Sequence, residues 1–276
     1  MTSTNNNVVV AVERNRLGLL MSANPVAKLL AVMVMTTPLI VTIDWLSATV
    51  ALVLEFPVLV LCGFGLKRVL SRIWPILLAA PLSATSMLLY GQPSGETFWQ
   101  WGYIHITEGS VGLAIGIFLR IFAIGVPAVV LFIDVDPTEM ADGLAQVLKM
   151  PAVPVLAALA GFRTAGLMIR DWESLARARR ARGLGDRSRL ADIASRSFAM
   201  LVLALRRGGK LATTMEARGM GARDANGQLL RTWARPSYLK RIDWMLLTWS
   251  VIVPTVALGL AAYMGTFRWI VSTSAA

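Results

Sequence analysis

The chain holds one cysteine and one histidine in 276 residues. An intrachain disulfide, a multi-thiolate metal site and a multi-histidine metal site are therefore excluded. With Cys62 and His105 the single members of their kind, no Ser/His/Asp or Cys/His catalytic set can be assembled with conviction. Charge is scarce as well: charged residues make up 16% against 56% hydrophobic, and the mean hydropathy is +0.62, well above ordinary soluble usage. Phosphate-binding loops are missing too. Gly208-Gly209-Lys210 is followed by Leu211 and has no upstream glycine, while Gly183-Leu184-Gly185 and Gly219-Met220-Gly221 neither follow a strand nor open the right helix. From Met1 to Ala23 the Ser, Thr and Asn residues do not give a signal-peptide layout, so the first long apolar run reads as a retained helix. Cys62 sits in an apolar run, where packing is its expected role.

What is present is apolar sequence in blocks of spanning length, about 20 residues being needed to cross a bilayer. The blocks are Ala27–Ile43, Leu46–Gly65, Ile73–Leu89, Ser110–Ile133 and Trp244–Met264. The first and third are short, which tilt or local thinning absorbs. Arg14, Arg16 and Lys28 stand at the entry to the first, and Lys67, Arg68 and Arg72 lie between the second and third. The loop from Gly91 to Gly109 carries Glu96 and Glu108 but no Lys or Arg. The positive-inside rule then predicts a cytoplasmic N-terminus and an outer C-terminus, with Arg268 in mild discord. In the outer loop Trp99, Trp101, Tyr103 and His105 alternate at strand spacing, which fits a short hairpin on the membrane face or an irregular aromatic anchor.

Positive charge is concentrated in one place. From Arg163 to Arg241 there are 18 Lys and Arg against 6 Asp and Glu, whereas the rest of the chain carries 9 against 10. The whole excess of +11 comes from this segment. It is preceded by Asp136-Pro137-Thr138-Glu139, a helix start with Asp136 as cap and Pro137 at the first helical position. The short helix runs to about Lys149 with Met140, Leu144, Val147 and Leu148 on one face, and Pro151 and Pro154 end it. A long helix from Pro154 to Arg182 follows. Arg163 interrupts its apolar half and only 16 residues separate Pro154 from Arg170, so it is not counted as a span. Ala157, Ala158, Ala160, Gly161, Ala165 and Gly166 give it a smooth side suited to close helix crossing, and Arg177, Arg179, Arg180 and Arg182 make its end basic. After Gly183 and Gly185, Asp186 or Ser188 caps a second long helix through Ile193, Met200, Leu203 and Leu211 to Arg218. Gly208-Gly209 should weaken or bend it, and Gly219 and Gly221 close it.

Both long helices thus end in the same tripeptide, Ala181-Arg182-Gly183 and Ala217-Arg218-Gly219, 36 residues apart. A glycine in the left-handed turn after a helix and a cation in its last turn explain one such end locally. Two copies on basic-tipped helices also fit a docking role, and chemistry alone leaves both readings open. Within the membrane, Glu55 and Arg120 fall near the centres of the second and fourth spans, at similar depth. Intramembrane charges usually find partners, so a Glu55–Arg120 ion pair is expected, with Gly112 and Gly116 clearing space for the approach. The alternative has Arg120 capping carbonyls or meeting the basic helices, while Glu55 is protonated or faces a polar cavity.

Several of these segments resemble the transmembrane T component of energy-coupling factor (ECF) transporters, the EcfT/CbiQ/BioN family, over most of the chain from Asn24 to Met264. The paired Ala-Arg-Gly carries the likeness, the second copy within Met215-Glu216-Ala217-Arg218-Gly219. Asn24-Pro25-Val26-Ala27-Lys28-Leu29 resembles the family's Asp-Pro-Arg-Thr-Lys-Leu opening, departing at Asn24, Val26 and Ala27, onto which no role is carried. Ile104-His105-Ile106-Thr107-Glu108-Gly109 before the fourth span and Pro137-Thr138-Glu139 after it agree in order.

The resemblance implies an all-α integral membrane protein of about five transmembrane helices, with a cytoplasmic coupling domain of one short and two long helices inserted before the last span. Residues 1–24 would be a cytoplasmic tail, 25–133 a four-span domain, 134–241 the coupling domain, and 242–276 the last span and C-terminal tail. It implies that each Ala-Arg-Gly end docks on one of two cytosolic ABC ATPases, separate or fused. The small residues Ala157, Ala160, Gly161, Ala165 and Gly166 would face a membrane S component that captures a vitamin or metal ion. The chain itself would be no enzyme, take no cofactor and bind no nucleic acid. Rival readings are a membrane-anchored nucleic-acid-binding regulator, for which the basic stretch has few aromatics to stack bases; a lipid enzyme, for which a catalytic set is lacking; and simple attraction to anionic lipid.

Overall fold

The computed structural model describes residues 19–42, 44–63, 66–91, 95–101, 104–183, 189–222 and 232–265. The described chain is helical apart from one hairpin. Its elements are α1 (Pro25–Val41), α2 (Trp45–Leu61), α3 (Leu66–Tyr90), β1 (Thr97–Trp101), β2 (Ile104–Thr107), α4 (Glu108–Phe132), α5 (Pro137–Gln146), α6 (Ala152–Ala181), α7 (Arg189–Ala217) and α8 (Arg241–Tyr263), after a 3-10 turn at Leu19–Ser22. The chain forms two compact units, one from the residues up to Met140 and from Tyr238 on, the other Ala141–Ser237.

In the first unit the helix starts are set by local chemistry. The Asn24 side chain accepts from the Val26 amide and Pro25 opens α1. Asp44 accepts from the Ser47 amide and hydroxyl, both at 2.8 Å, to start α2. Thr107 and Ser110 form a reciprocal capping box for α4. Two apolar clusters bind α1, α2, α4 and α8 together: one around Ala31, Val58, Val126, Val130 and Leu246, the other around Met35, Leu39, Ala51, Ala123 and Val253. Cys62 is buried in the first as packing. Against α4, α3 packs closely enough that a Cβ at Gly125 would stand 2.7 Å from Ile76. Each of these five helices contains a proline: Pro38, Pro57, Pro75 with Pro81, Pro127 and Pro254.

The loop expected on the outer face takes the hairpin form in its described residues. β1 and β2 are antiparallel with Trp99 opposite Ile106 and Trp101 opposite Ile104, while Tyr103 lies outside the described residues.

Among the described residues four helices are long and apolar enough to cross a membrane: Lys67–Tyr90, Glu108–Phe132, Ala152–Ala181 and Arg241–Tyr263. This redraws the sequence expectation in two places. At 17 residues each, α1 and α2 are apolar but short, each spanning about 25 Å of a hydrocarbon layer near 30 Å. In contrast, α6 qualifies by length and composition despite Arg163 and Arg170, because it begins at Ala152 and runs 30 residues without a break.

Between the two units in sequence, α5 is capped by Asp136, whose carboxylate accepts from the Thr138 amide at 2.7 Å. It stops at Gln146, short of the expected Lys149, which instead adopts a left-handed φ of 52°. A small core of Ala141, Ala145 and Val155 is closed by Leu144, Leu159 and Trp233. The Gln146 side chain donates to the Arg235 carbonyl and accepts from the Ser237 amide, both at 2.9 Å, clamping that segment. Next, α6 and α7 pair as a hairpin held by charge: Arg179 reaches Asp192 at 3.1 Å and Ser195 at 3.0 Å, Arg207 reaches Asp171 at 2.8 Å, and Arg196 pairs with Asp192 while stacking over Trp172. Gly208-Gly209 does not interrupt α7, which is one continuous helix. The candidate caps Asp186 and Ser188 lie outside the described residues.

Candidate functional site

Each Ala-Arg-Gly closes a long helix. At the end of α6 the Arg182 amide donates to the Arg179 carbonyl (3.1 Å) and the Gly183 amide to Arg180 (3.0 Å). Gly183 has φ +70°, the left-handed turn that a Cβ disfavours. At the end of α7 the Gly219 amide donates to the Glu216 carbonyl (2.9 Å) and the Met220 amide to Met215 (3.0 Å), with Gly219 at φ +74°. This second pair of bonds is the complete Schellman closure. Ala181, Arg182, Gly183, Ala217, Arg218 and Gly219 are all exposed.

The two arginines differ from three others of the hairpin in what they touch. Arg179, Arg196 and Arg207 are engaged in stapling α6 to α7. Among the described residues neither Arg182 nor Arg218 has an ion-pair partner. The helix-end geometry therefore presents two outward guanidiniums on rigid backbone, each beside a glycine with no side chain to obstruct a visitor. Such forks suit carboxylates, which they bind in bidentate fashion.

Along α6 the small residues are left uncovered. Ala157, Gly161, Ala165 and Gly166 are exposed and Ala160 is half-buried. A Cβ placed at Gly161 or Gly166 meets nothing within 4 Å. Further along the hairpin, Met168, Ile169, Trp172, Met200, Leu201 and Ala204 line an open apolar groove of about 570 Å³.

The intramembrane charges are arranged differently from the expectation. Arg120 does not pair with Glu55: its guanidinium stands 3.9 Å from Asp44 and donates to the Thr42 hydroxyl at 3.2 Å. Glu55 is fully buried, and neither carboxylate oxygen has a hydrogen-bond partner. Helix register is the reason. A Cβ at Gly116 would lie 3.4 Å from the Trp45 nitrogen, so Gly116 is level with the start of α2. Counting equally along both helices puts Glu55 level with Val126, about 9 Å deeper than Arg120. Helical side chains lean toward the N-terminus, which carries Arg120 further toward Asp44. Gly116 makes the close approach expected of it, whereas a Cβ at Gly112 would meet nothing within 4 Å.

Sequence reasoning passed over two carboxylates, Asp44 and Asp243. Each sits at a helix start, where an acidic residue ahead of an apolar run is a readable capping signal. Asp243 is fully buried and accepts from the Asn24 amide at 2.7 Å and the Lys240 amide at 2.6 Å. His105 belongs to β2, opposite Gln100. Among the described residues no group of three or more His, Cys, Asp and Glu side chains could hold a metal.

Comparison with known proteins agrees with this architecture. The profile of the family described as "CbiQ: Cobalt transport protein" matches residues 19–226. Similar proteins include three named energy-coupling factor transporter transmembrane protein EcfT. That of Limosilactobacillus fermentum is 27% identical over 190 residues, covering 62% of this chain and 71% of the relative. That of Lacticaseibacillus paracasei is 28% identical over 195 residues, covering 66% and 70%. That of Brevibacillus brevis is 23% identical over 259 residues, covering 89% and 92%.

Proposed function

The chain belongs to the CbiQ cobalt transport protein family, and from that membership we propose that it is the transmembrane coupling subunit of an ECF-type importer. It is a multi-pass membrane component of a transporter rather than a catalyst. In this reading the N-terminus and residues 134–241 face the cytoplasm. Arg182 and Arg218 each enter an acidic groove on one of two ABC ATPases. The small-residue side of α6, at Ala157, Ala160, Gly161, Ala165 and Gly166, meets an S component that carries a vitamin or metal ion. ATP-driven closure of the ATPases shifts the two helix ends, and the stapled α6–α7 hairpin passes that displacement to the S component.

The observation that supports this most is the duplicated, exposed arginine at a glycine-closed helix end, without an ion-pair partner among the described residues and separate from Arg179, Arg196 and Arg207, which staple the hairpin. A helix-end charge alone contributes about 0.3–1 kcal/mol, whereas breaking a buried charge pair in an interface costs about 2–5 kcal/mol. The test is to replace Arg182, Arg218 and both with Glu, then measure retention of the ATPase pair and uptake in the same membranes. Loss of both in the double variant is expected. Wild-type retention and uptake in that variant would refute the docking role.

A further inference from the structure

The end of the membrane unit at which the chain leaves for residues 141–237, and to which it returns, is tied together by buried charge. Lys28, in the first turn of α1, is only 6% exposed. Within its electrostatic reach are Glu139 and Asp134, on the departing segment, and Asp243, on the returning one; Cys62, at the end of α2, is the remaining titratable neighbour. Asp134 is in turn paired with Arg68 of α3 at 2.7 Å. Asp243 is wholly buried and accepts from the amides of Asn24 and Lys240, so one carboxylate binds two segments distant in sequence. The Asn24 side-chain amide also donates to the Tyr238 carbonyl, at 3.5 Å. Residues from the ends of α1, α2, α3, α4 and α8 thus gather at one point. A buried ammonium is costly unless carboxylates surround it, so this gathering is specified by charge as well as by packing.

We infer that Lys28 and Asp243 are positioning residues that clamp the departing and returning segments of the chain to one fixed joint in the membrane unit. The inference rests on the coupling reading proposed above. Residues 141–237 are joined to the membrane unit covalently at two places, and a displacement of that segment pulls on both. If those connections could move independently, part of the displacement would be lost as strain in the linkers. With both held at Asn24, Lys28 and Asp243, they move as one.

The test uses the complete transporter, with both ATPases and the S component, in liposomes. Lys28→Met and Asp243→Asn keep side-chain volume and remove charge. Uptake per ATP hydrolysed is expected to fall about tenfold, within the usual range for coupling between sites, while ATPase retention and hydrolysis stay near wild type. Lys28→Arg should restore most of the ratio. An unchanged ratio in both charge-removal variants, or parallel loss of assembly and hydrolysis, would overturn the inference. Hydrogen exchange on the wild-type complex gives a second measurement that needs no variant. Peptides covering 24–28 and 238–243 should stay protected with and without ATP, and rapid exchange at either in one state would also overturn it. Failure of the wild-type chain to retain an ATPase pair would instead refute the coupling reading.

Discussion

Arg120 and Asp44 form a buried charged contact in the membrane unit: the guanidinium of one lies 3.9 Å from the carboxylate of the other, with side chains 10% and 2% exposed. Asp44 simultaneously caps α2 through Ser47, so a single carboxylate starts one helix and neutralises another. Removing either partner leaves an uncompensated buried charge, which costs about 3–5 kcal/mol. Arg120→Gln and Asp44→Asn should each lower the melting temperature of the purified protein, and the double variant should lose less than the two added together. Glu55→Gln, by contrast, exchanges a buried carboxyl group with no hydrogen-bond partner for an amide of the same size and should stay within about 2 °C of wild type. A double-mutant cycle in detergent checks all three, and equal losses for Glu55 and Asp44 would contradict the assignment.

Gly116 separates α4 from the start of α2, and Gly112, one turn earlier, faces open space. Gly116→Leu should therefore cost about 1–3 kcal/mol as overpacking, while Gly112→Leu should be tolerated. Parallel thermal unfolding of the two variants distinguishes them.

The left-handed φ of Gly183 and Gly219 makes them unlike other positions on their helices. Replacing either with Val should destabilise its helix end by about 1–2 kcal/mol, and Asn should be better tolerated. If docking depends on helix-end geometry, Gly→Val variants lose the ATPase pair although Arg182 and Arg218 are still present. Copurification with ATPases after each substitution reports this.

The α6–α7 hairpin has salt bridges of unequal worth. Arg177–Glu173 is 64% and 65% exposed, and its removal should change stability by less than about 1 kcal/mol. Asp192 holds both Arg179 and Arg196 with 15% exposure. Asp192→Asn should accelerate limited proteolysis of the hairpin markedly, and Glu173→Gln should leave it unchanged.

The uncovered small residues of α6 give a separate expectation. Gly161→Leu should reduce S-component retention while the ATPase pair stays bound. Loss of both together, or of neither, would argue against a dedicated face, and pull-down through the chain reads both at once.

How much of this could be read from residues alone follows the range of the forces involved. Both helix ends were legible because a glycine turn and its carbonyl bonds depend on a few adjacent residues. The same holds for the Asp136 cap and for the alternation that gives the hairpin. The partner of Arg120 was not legible. Depth was judged from the ends of apolar runs, but the register of α2 against α4 is fixed by the close contact at Gly116, which sequence does not display. Asp44 was passed over for a related reason: it stands between two apolar runs, where it reads as a boundary. Gly208-Gly209 reads in the opposite direction: intrinsic propensity marks a weak point, yet α7 is continuous through both glycines, with Arg207 beside them paired to Asp171. Arg163 and Arg170, together with a start placed at Pro154 and not at Ala152, also hid the length of the apolar part of α6.

Proline is distributed unevenly between the two units. Every membrane helix of the first unit carries one inside, whereas α7 has none and Pro154 of α6 sits in the first turn, where no backbone donor is needed. Proline removes a hydrogen bond from the helix interior and lets it flex. The 30 residues of α6 and 29 of α7 lack that weakness, and at helical rise each is a rod of about 45 Å. Such a rod acts as a lever: tilting it by about 10° carries its far tip through roughly 8 Å for a 45 Å arm. Under the coupling proposed above, a small rocking at the arginine ends is enlarged in this way, and stiffness along α6 and α7 sets how much of that stroke survives to the other end.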